Sequence, residues 1–277
     1  MTNLIEEKRK VIYLDWGHFI HRAIFAWAIR KEMPAPYTCM TMILSCLKKV
    51  GVSPDDLIIL AVDSPKGSWR REVDPAYKAN RKSNRDKRTD IPWPKMWSDF
   101  RELLENLKIS TPFHAIEIEK FEADDIISYG VRCEKFKDYT HVIISSDSDF
   151  DQLTRFPSVY LFSPKSKKYK IIQNPYDSLA KKMDKEVSDN LLTPILSQKD
   201  YERRNKIVNL TILPPEIEAK IEIELQKINE HKEFNMELLK FRSIRERFMS
   251  IYNSAEVVSI SKSFKKKQKQ LEQKVLI

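Results

Sequence analysis

The sequence predicts an α/β fold with a mostly parallel central sheet, helices on both of its faces and a C-terminal helical region. Three short apolar runs carry that prediction: residues 10–15 (Lys-Val-Ile-Tyr-Leu-Asp), 57–63 (Leu-Ile-Ile-Leu-Ala-Val-Asp) and 141–147 (His-Val-Ile-Ile-Ser-Ser-Asp). Their apolar residues are continuous rather than alternating, which suits parallel strands covered on both faces. Helical stretches separate them, and strand–helix–strand alternation marks this class. Each run also ends in an aspartate, and open α/β sheets bind ligands outside the carboxyl ends of their strands. Asp15, Asp63 and Asp147 are therefore expected to converge. A helix N-cap accounts for one such aspartate but not for three.

The helical stretches between the strands are about 37–50, 95–108 and 121–136. Residues 74–97 read differently. They hold Pro75, Pro92 and Pro94, the aromatics Tyr77, Trp93 and Trp97, and many basic side chains. This composition suits an exposed loop or arch beside the ligand-binding edge of the sheet. After Asp149 come a short helix and a hairpin, 158–162 with 168–173, turned at Ser-Pro-Lys-Ser-Lys-Lys. Charged helices follow near 196–207, 214–231 and 234–253, and then a Lys/Gln-rich tail. The expected division is a catalytic domain at 1–175, a helical region at 176–261 and a basic tail at 262–277.

The net charge of the 277 residues, 49 − 40 = +9, is concentrated in two places. Residues 66–90 carry nine Lys/Arg against four Asp/Glu, and residues 262–277 carry six Lys against one Glu. Each segment contributes +5, which leaves 9 − 5 − 5 = −1 for the rest. Such local basic segments form nucleic-acid contact surfaces. Cys39, Cys46 and Cys133 match no metal-ligand spacing, and their odd number fits a reducing compartment. The charged N-terminus lacks the apolar stretch of a signal peptide, and no run of about 18 apolar residues could span a membrane. The expectation is a cytoplasmic monomer with no membrane partner.

Acids recur at two further turns. Phe121-Glu122-Ala123-Asp124-Asp125 puts three at a helix start, where the helix dipole would account for one or two. Asp147 and Asp149 stand two apart on a strand-to-helix turn. The candidates are Asp15, Asp63, Glu122, Asp124, Asp125, Asp147 and Asp149. So many carboxylates repel one another unless cations neutralise them. Hard divalent ions with oxygen ligands serve best, Mg²⁺ first and Mn²⁺ as its substitute. Two such ions about 4 Å apart form the usual clamp for phosphodiester hydrolysis. His18, His21 and His114 read as packing or surface residues.

These segments also resemble a known family. The pieces are Tyr-Leu-Asp-Trp-Gly ending at Gly17, Ala-Val-Asp-Ser-Pro-Lys-Gly-Ser-Trp-Arg-Arg at 61–71 and Ala-Tyr-Lys-Ala-Asn-Arg at 76–81. Glu-Ala-Asp-Asp at 122–125, Ile-Ile-Ser-Ser-Asp-Ser-Asp-Phe-Asp-Gln-Leu at 143–153 and Ser-Pro-Lys-Ser-Lys-Lys-Tyr-Lys-Ile at 163–171 continue the series. In this order they resemble the 5′-nuclease superfamily of flap endonucleases and 5′→3′ exonucleases, nearest its T-even phage ribonuclease H branch. The resemblance covers residues 10–175 well and 192–250 loosely.

The resemblance implies a PIN-like 5′-nuclease fold and a two-metal-ion phosphodiesterase. Such an enzyme acts on 5′ ends or flaps of DNA or RNA–DNA hybrid, as in primer removal during phage replication. The seven acids would hold the ions. Arg70, Arg71, Tyr77, Lys78, Arg81, Lys82 and Arg85 would bind nucleic acid. Lys78 and Arg81 would contact the scissile phosphate, and Tyr77 would stack on a terminal base. A sliding clamp or a single-strand-binding protein is the kind of partner implied.

One departure stands out. The family follows its Ser-Asp-x-Asp turn with Gly-Asp-Lys-x-Asp-Asn and a duplex-gripping helix–three-turn–helix. Here no glycine follows Gly130, so 277 − 130 = 147 residues lack one. The echo at 183–190 sets Asp184 and Asp189 five apart instead of three. Absence of the gripping module is therefore expected. Two other readings compete: a catalytically weak nucleic-acid-binding replication accessory, and a PIN-type single-strand ribonuclease.

Overall fold

The computed structural model describes residues 9–184 and 194–253. Strands β1 (Lys10–Asp15), β2 (Leu57–Val62), β3 (Phe113–Glu117), β4 (Thr140–Ile144), β5 (Val159–Ser163) and β6 (Lys168–Tyr169) form one sheet in the order β3-β2-β1-β4-β5-β6. All neighbours pair in parallel except β5 and β6, which close a hairpin with Phe162 opposite Tyr169. The expected α/β class is borne out. β1 lies centrally, paired with β2 on one side and β4 on the other. The three aspartate-ending strands are therefore adjacent.

Strand alternation sorts the central residues between two cores. Ile12, Leu14, Ile58, Leu60 and Val62 face one core with helices α1 (Trp16–Arg30), α2 (Ala35–Val50), α5 (Trp93–Ser110) and α10 (Arg242–Tyr252). Val11, Tyr13, Leu57, Ile59 and Ala61 face the other, with α6 (Ala123–Gly130) and α9 (Pro215–Gln226). The C-terminal helices thus complete both cores of the sheet. Shorter helices are α3 (Arg70–Val73), α4 (Asn80–Asp86), α7 (Asp177–Asp184) and α8 (Gln198–Val208). Among the described residues no helix is long and apolar enough to cross a membrane. The three cysteines are buried and free.

Several elements differ from expectation. α1 follows β1 without an intervening turn, because Asp15 ends the strand and caps the helix at once. β3 has no continuous apolar run to announce it; its sequence is Phe-His-Ala-Ile-Glu. The helix expected at 121–136 stops at Gly130, and a separate 3-10 turn spans Glu134–Phe136. The stretch 74–97 is less irregular than its prolines suggest, since it contains α4 and the start of α5. Pro94 lies in the first turn of α5, where a missing N–H costs nothing. The expected residue pair Asp184 and Asp189, the segment meant to betray a missing gripping module, and the basic tail lie largely outside the described residues: Asp184 only through its side chain, 185–193 and 254–277 entirely.

Candidate active site

The carboxyl edge of the sheet is also where helix N-termini gather. Asp15 caps α1, accepting a hydrogen bond from the His18 N–H at 3.1 Å. Asp147 caps the 3-10 helix Ser148–Arg155, accepting from the Asp149 N–H at 2.9 Å. Glu122 caps α6. Capping and convergence, alternatives at the level of sequence, are both true here. The positive ends of the helices are a place where acids can be held close together.

Asp15, Asp63 and Asp147 form the open part of the site. Asp63 accepts from the Ala123 N–H at 2.8 Å, which ties the end of β2 to the start of α6. Ser145 links the other two: its hydroxyl donates to Asp15 Oδ2 at 2.9 Å and accepts from the Asp147 N–H at 3.1 Å. Gly17 leaves room between the carboxylates of Asp15 and Asp63. A Cβ there would stand 2.7 Å from Asp63 Oδ2 and 3.7 Å from Asp15 Oδ1. Burial, then the charge of Asp63 and more weakly that of Asp147, raises the Asp15 carboxyl from 3.8 to about 7, against the hydrogen bonds from His18 and Ser145. His18 is kept uncharged at neutral pH because burial lowers it to about 4.

The second part is already braced by cations. Glu122 accepts from Arg70, Ser68 and the Tyr77 hydroxyl at 2.9–3.0 Å, and from the Lys78 ammonium. Burial alone would raise this carboxyl, but Lys78 and Arg70 overcome it and hold Glu122 at about 2. Lys78 takes a left-handed backbone, φ 54°, a conformation that non-glycine residues adopt at a cost. Arg70 also pairs with Asp124 Oδ1 at 3.3 Å and Asp125 Oδ1 at 2.8 Å. Burial raises Asp124 well above the usual carboxylate range, with Arg70 opposing. Asp149 is raised by burial and then by Asp147, and Lys182 opposes the shift.

Three of the expected site residues are buried in this geometry. Arg70 is 1% exposed, and its guanidinium meets three carboxylates and donates to the Ile207 carbonyl, so it braces the acids. Asp125 is 0% exposed. Its Oδ2 accepts from Trp69 Nε1 and from the Glu122 N–H, and its Oδ1 meets Arg70, so both oxygens are committed to the protein. Tyr77 is 3% exposed, packed with Met183, Ile207 and Val208. By contrast Arg71 and Arg81 are exposed, and Arg85 lies over the Trp97 ring at 6.0 Å. The side chain of Lys82 lies outside the described residues.

With this geometry in view, the comparisons with known proteins decide the family. The profile described as 5′-3′ exonuclease, N-terminal resolvase-like domain, matches residues 10–184. The chain belongs to the 5′-3′ exonuclease family. Family membership fits the observed placement of acids at the strand ends and accounts for the resemblance noted in the motifs. The ribonuclease H of enterobacteria phage T4 is 29% identical over 215 residues, 71% of this chain and 70% of its own length. DNA polymerase I of Thermus aquaticus is 26% identical over 175 residues, which is 59% of this chain but only 20% of the polymerase. Two solved structures share the fold. The flap endonuclease of bacteriophage T5, in a pseudo-enzyme–product complex with DNA and metal ions, gives a TM-score of 0.54 at 18% identity, covering 97% of this chain and 100% of that one. The T5 D15 protein co-crystallised with metal ions gives 0.52 at 17% identity, covering 97% and 98%.

Among the described residues, no three carboxylate, imidazole or thiol groups form a ready-made coordination sphere. The chemistry nonetheless fits a divalent ion. The donors are all oxygen, Gly17 leaves a cradle between two of them, and Asp149 Oδ1 is a buried acceptor with no hydrogen-bond partner. Four contributors escaped the sequence reading. Ser145 and Gly17 lay inside quoted motifs without a role. Asp151, two residues past Asp149 and paired with Lys170, follows the same i, i+2 spacing and was legible. Lys182, 33 residues from Asp149, had no local signal.

The Asp15 carboxyl makes metal-free stability depend on pH. Its folded value, about 7, exceeds its ordinary 3.8, so between these limits the native state binds more protons than the unfolded chain. Stability from this group is therefore greatest below about pH 4 and is lost as pH rises toward 7. Each pKa unit is worth about 1.4 kcal/mol, so the effect reaches a few kcal/mol. In EDTA, the difference in melting temperature between Asp15→Asn and wild type should grow in favour of the variant as pH goes from 5 to 8. A difference that is flat with pH would show that Asp15 is not the titrating group.

Proposed function

We propose that the chain is a divalent-metal-dependent 5′ nuclease that hydrolyses phosphodiester bonds at the 5′ ends or flaps of DNA or RNA–DNA hybrid, as in primer removal. The observation that supports it most is the trio Asp15, Asp63 and Asp147 at three adjacent strand ends, with Asp15 pushed to about 7 by burial and by its acidic neighbours. Such a site favours positive charge. Asp15, Asp63 and Asp147, with Asp124 beside them, would hold one Mg²⁺, and Asp149 would contribute to a second; Mn²⁺ would substitute. Bound there, the ions would supply charge neutralisation at the phosphate and a more acidic attacking water.

The chain's own groups do the rest. Lys78, released from Glu122, would place an ammonium against the phosphate, and Arg81 would stand beside it, both favouring charge that develops during cleavage. Arg70 keeps Glu122 ionised and holds Asp125 in place throughout. Unpaired bases would find aromatic surface away from Tyr77. Trp93 and Trp97 stack at 5.9 Å, and Phe25, exposed beside them, has Arg88 over its ring at 5.2 Å. Aromatic rings interleaved with arginine suit single strands of any sequence.

The test is cleavage of end-labelled 5′-flap, nicked, single-stranded and RNA–DNA hybrid substrates in Mg²⁺. Product released from the 5′ side of flap or hybrid is expected, and EDTA should abolish it. Binding of these substrates without cleavage in either Mg²⁺ or Mn²⁺ would replace this reading with that of a replication accessory. Preferential cutting of internal single-stranded RNA would favour the ribonuclease reading.

A further inference from the structure

Lys182 stands where a cation is called for. Helix α7 carries it to the site, and its ammonium bonds Asp149 Oδ2. Both side chains are largely buried, 21% and 18% exposed, so the pair is not a solvated surface contact. The other carboxylate oxygen, Asp149 Oδ1, is buried and has no hydrogen-bond partner. The Asp149 N–H bonds Asp147 Oδ1 at 2.9 Å, so the lysine sits one short turn from the open strand-end acids. Neighbouring Met183 fixes the direction of α7 by packing with Tyr77, Ile207 and Val208, and Tyr77 in turn bonds Glu122. The helix is thus anchored to one half of the site while its lysine neutralises the other.

Resting on the metal-dependent reading above, we propose that Lys182 is a built-in cation that competes with a divalent ion for Asp149. Among the described residues, no lysine pairs with Asp15, Asp63 or Asp147, where the first ion would sit. The ion at Asp149 binds only by displacing an ammonium already in place. Displacement is mechanically simple, because four methylenes let the ammonium swing to solvent while Met183 holds the helix. It breaks a largely buried ion pair, and that cost is subtracted from the affinity of the incoming ion. The second site therefore fills at higher free divalent concentration than the first, and the difference is set by one residue outside the acidic motifs.

The experiment is Mn²⁺ titration of the full-length protein by calorimetry, with free Mn²⁺ counted by electron paramagnetic resonance. Wild type, Lys182→Met, Asp149→Asn and the double variant are compared, and circular dichroism melts confirm that each is folded. Methionine keeps the aliphatic stem against α7. Lys182→Met should tighten the weaker Mn²⁺ site by at least about tenfold and leave the tighter site within about twofold. In the Asp149→Asn background the same substitution should do nothing. An unchanged weaker site in Lys182→Met overturns the inference. So does equal tightening with or without Asp149, which would mark a general field effect. If none of the four proteins binds Mn²⁺, the metal-dependent reading falls with it; one ion bound by wild type, with Lys182→Met unchanged, overturns only the role of Lys182.

Discussion

Asp147→Asn is expected to slow Mg²⁺-dependent cleavage of a 5′ flap by at least about 100-fold, or about 2.7 kcal/mol in the barrier. The substitution is chosen because the fold should tolerate it. Asp147 caps the helix Ser148–Arg155 by accepting from the Asp149 N–H, and an asparagine oxygen can accept the same bond. What is lost is the negative charge, one of the three at the strand ends. Affinity for the flap in EDTA should be unchanged or slightly tighter, since less negative charge faces the phosphates. Single-turnover cleavage and equilibrium binding separate the two effects. Wild-type cleavage by Asp147→Asn would remove this residue from the metal site and, with it, the central support for the site as drawn.

Arg70→Met is expected to lower stability by about 3–5 kcal/mol, because removing one partner from a buried ionic cluster leaves the others uncompensated. Arg70 faces Glu122 at 2.9 Å, Asp124 at 3.3 Å and Asp125 at 2.8 Å, and its Nε donates to the Ile207 carbonyl at 2.8 Å. Without the guanidinium, three carboxylates crowd a largely dry space and the end of α8 loses one of its ties to α3. The loss should shrink at low pH, where the carboxylates protonate and no longer need a counter-charge. Arg70→Lys should be intermediate: it restores a charge but not a fork that reaches several acceptors. Urea unfolding at pH 7.5 and pH 5 measures both effects. A change within about 0.5 kcal/mol at pH 7.5 would mean that the cluster is solvated and Arg70 is free to contact nucleic acid after all.

Sequence by itself determined the sheet's central strands and the convergence of Asp15, Asp63 and Asp147. The reason is local: strands buried on both faces need unbroken apolar runs, and the carboxyl end of such a run is fixed by chain direction. The order of motifs likewise determined the family, because each motif is a short contiguous segment. The tertiary structure alone decided how the remaining acids divide. Glu122, Asp124 and Asp125 are nearly consecutive and all three meet the Arg70 guanidinium, yet their other partners differ. Glu122 also accepts from Lys78 and Tyr77, whereas Asp125 is sealed against Trp69. Arg70 and Arg71 are neighbours in sequence with opposite fates, one buried among carboxylates and one in solvent. Lys182 reaches Asp149 only because α7 packs against the 3-10 helix Ser148–Arg155. Burial and long-range pairing are properties of the packed chain, and no periodicity or spacing in the sequence encodes them.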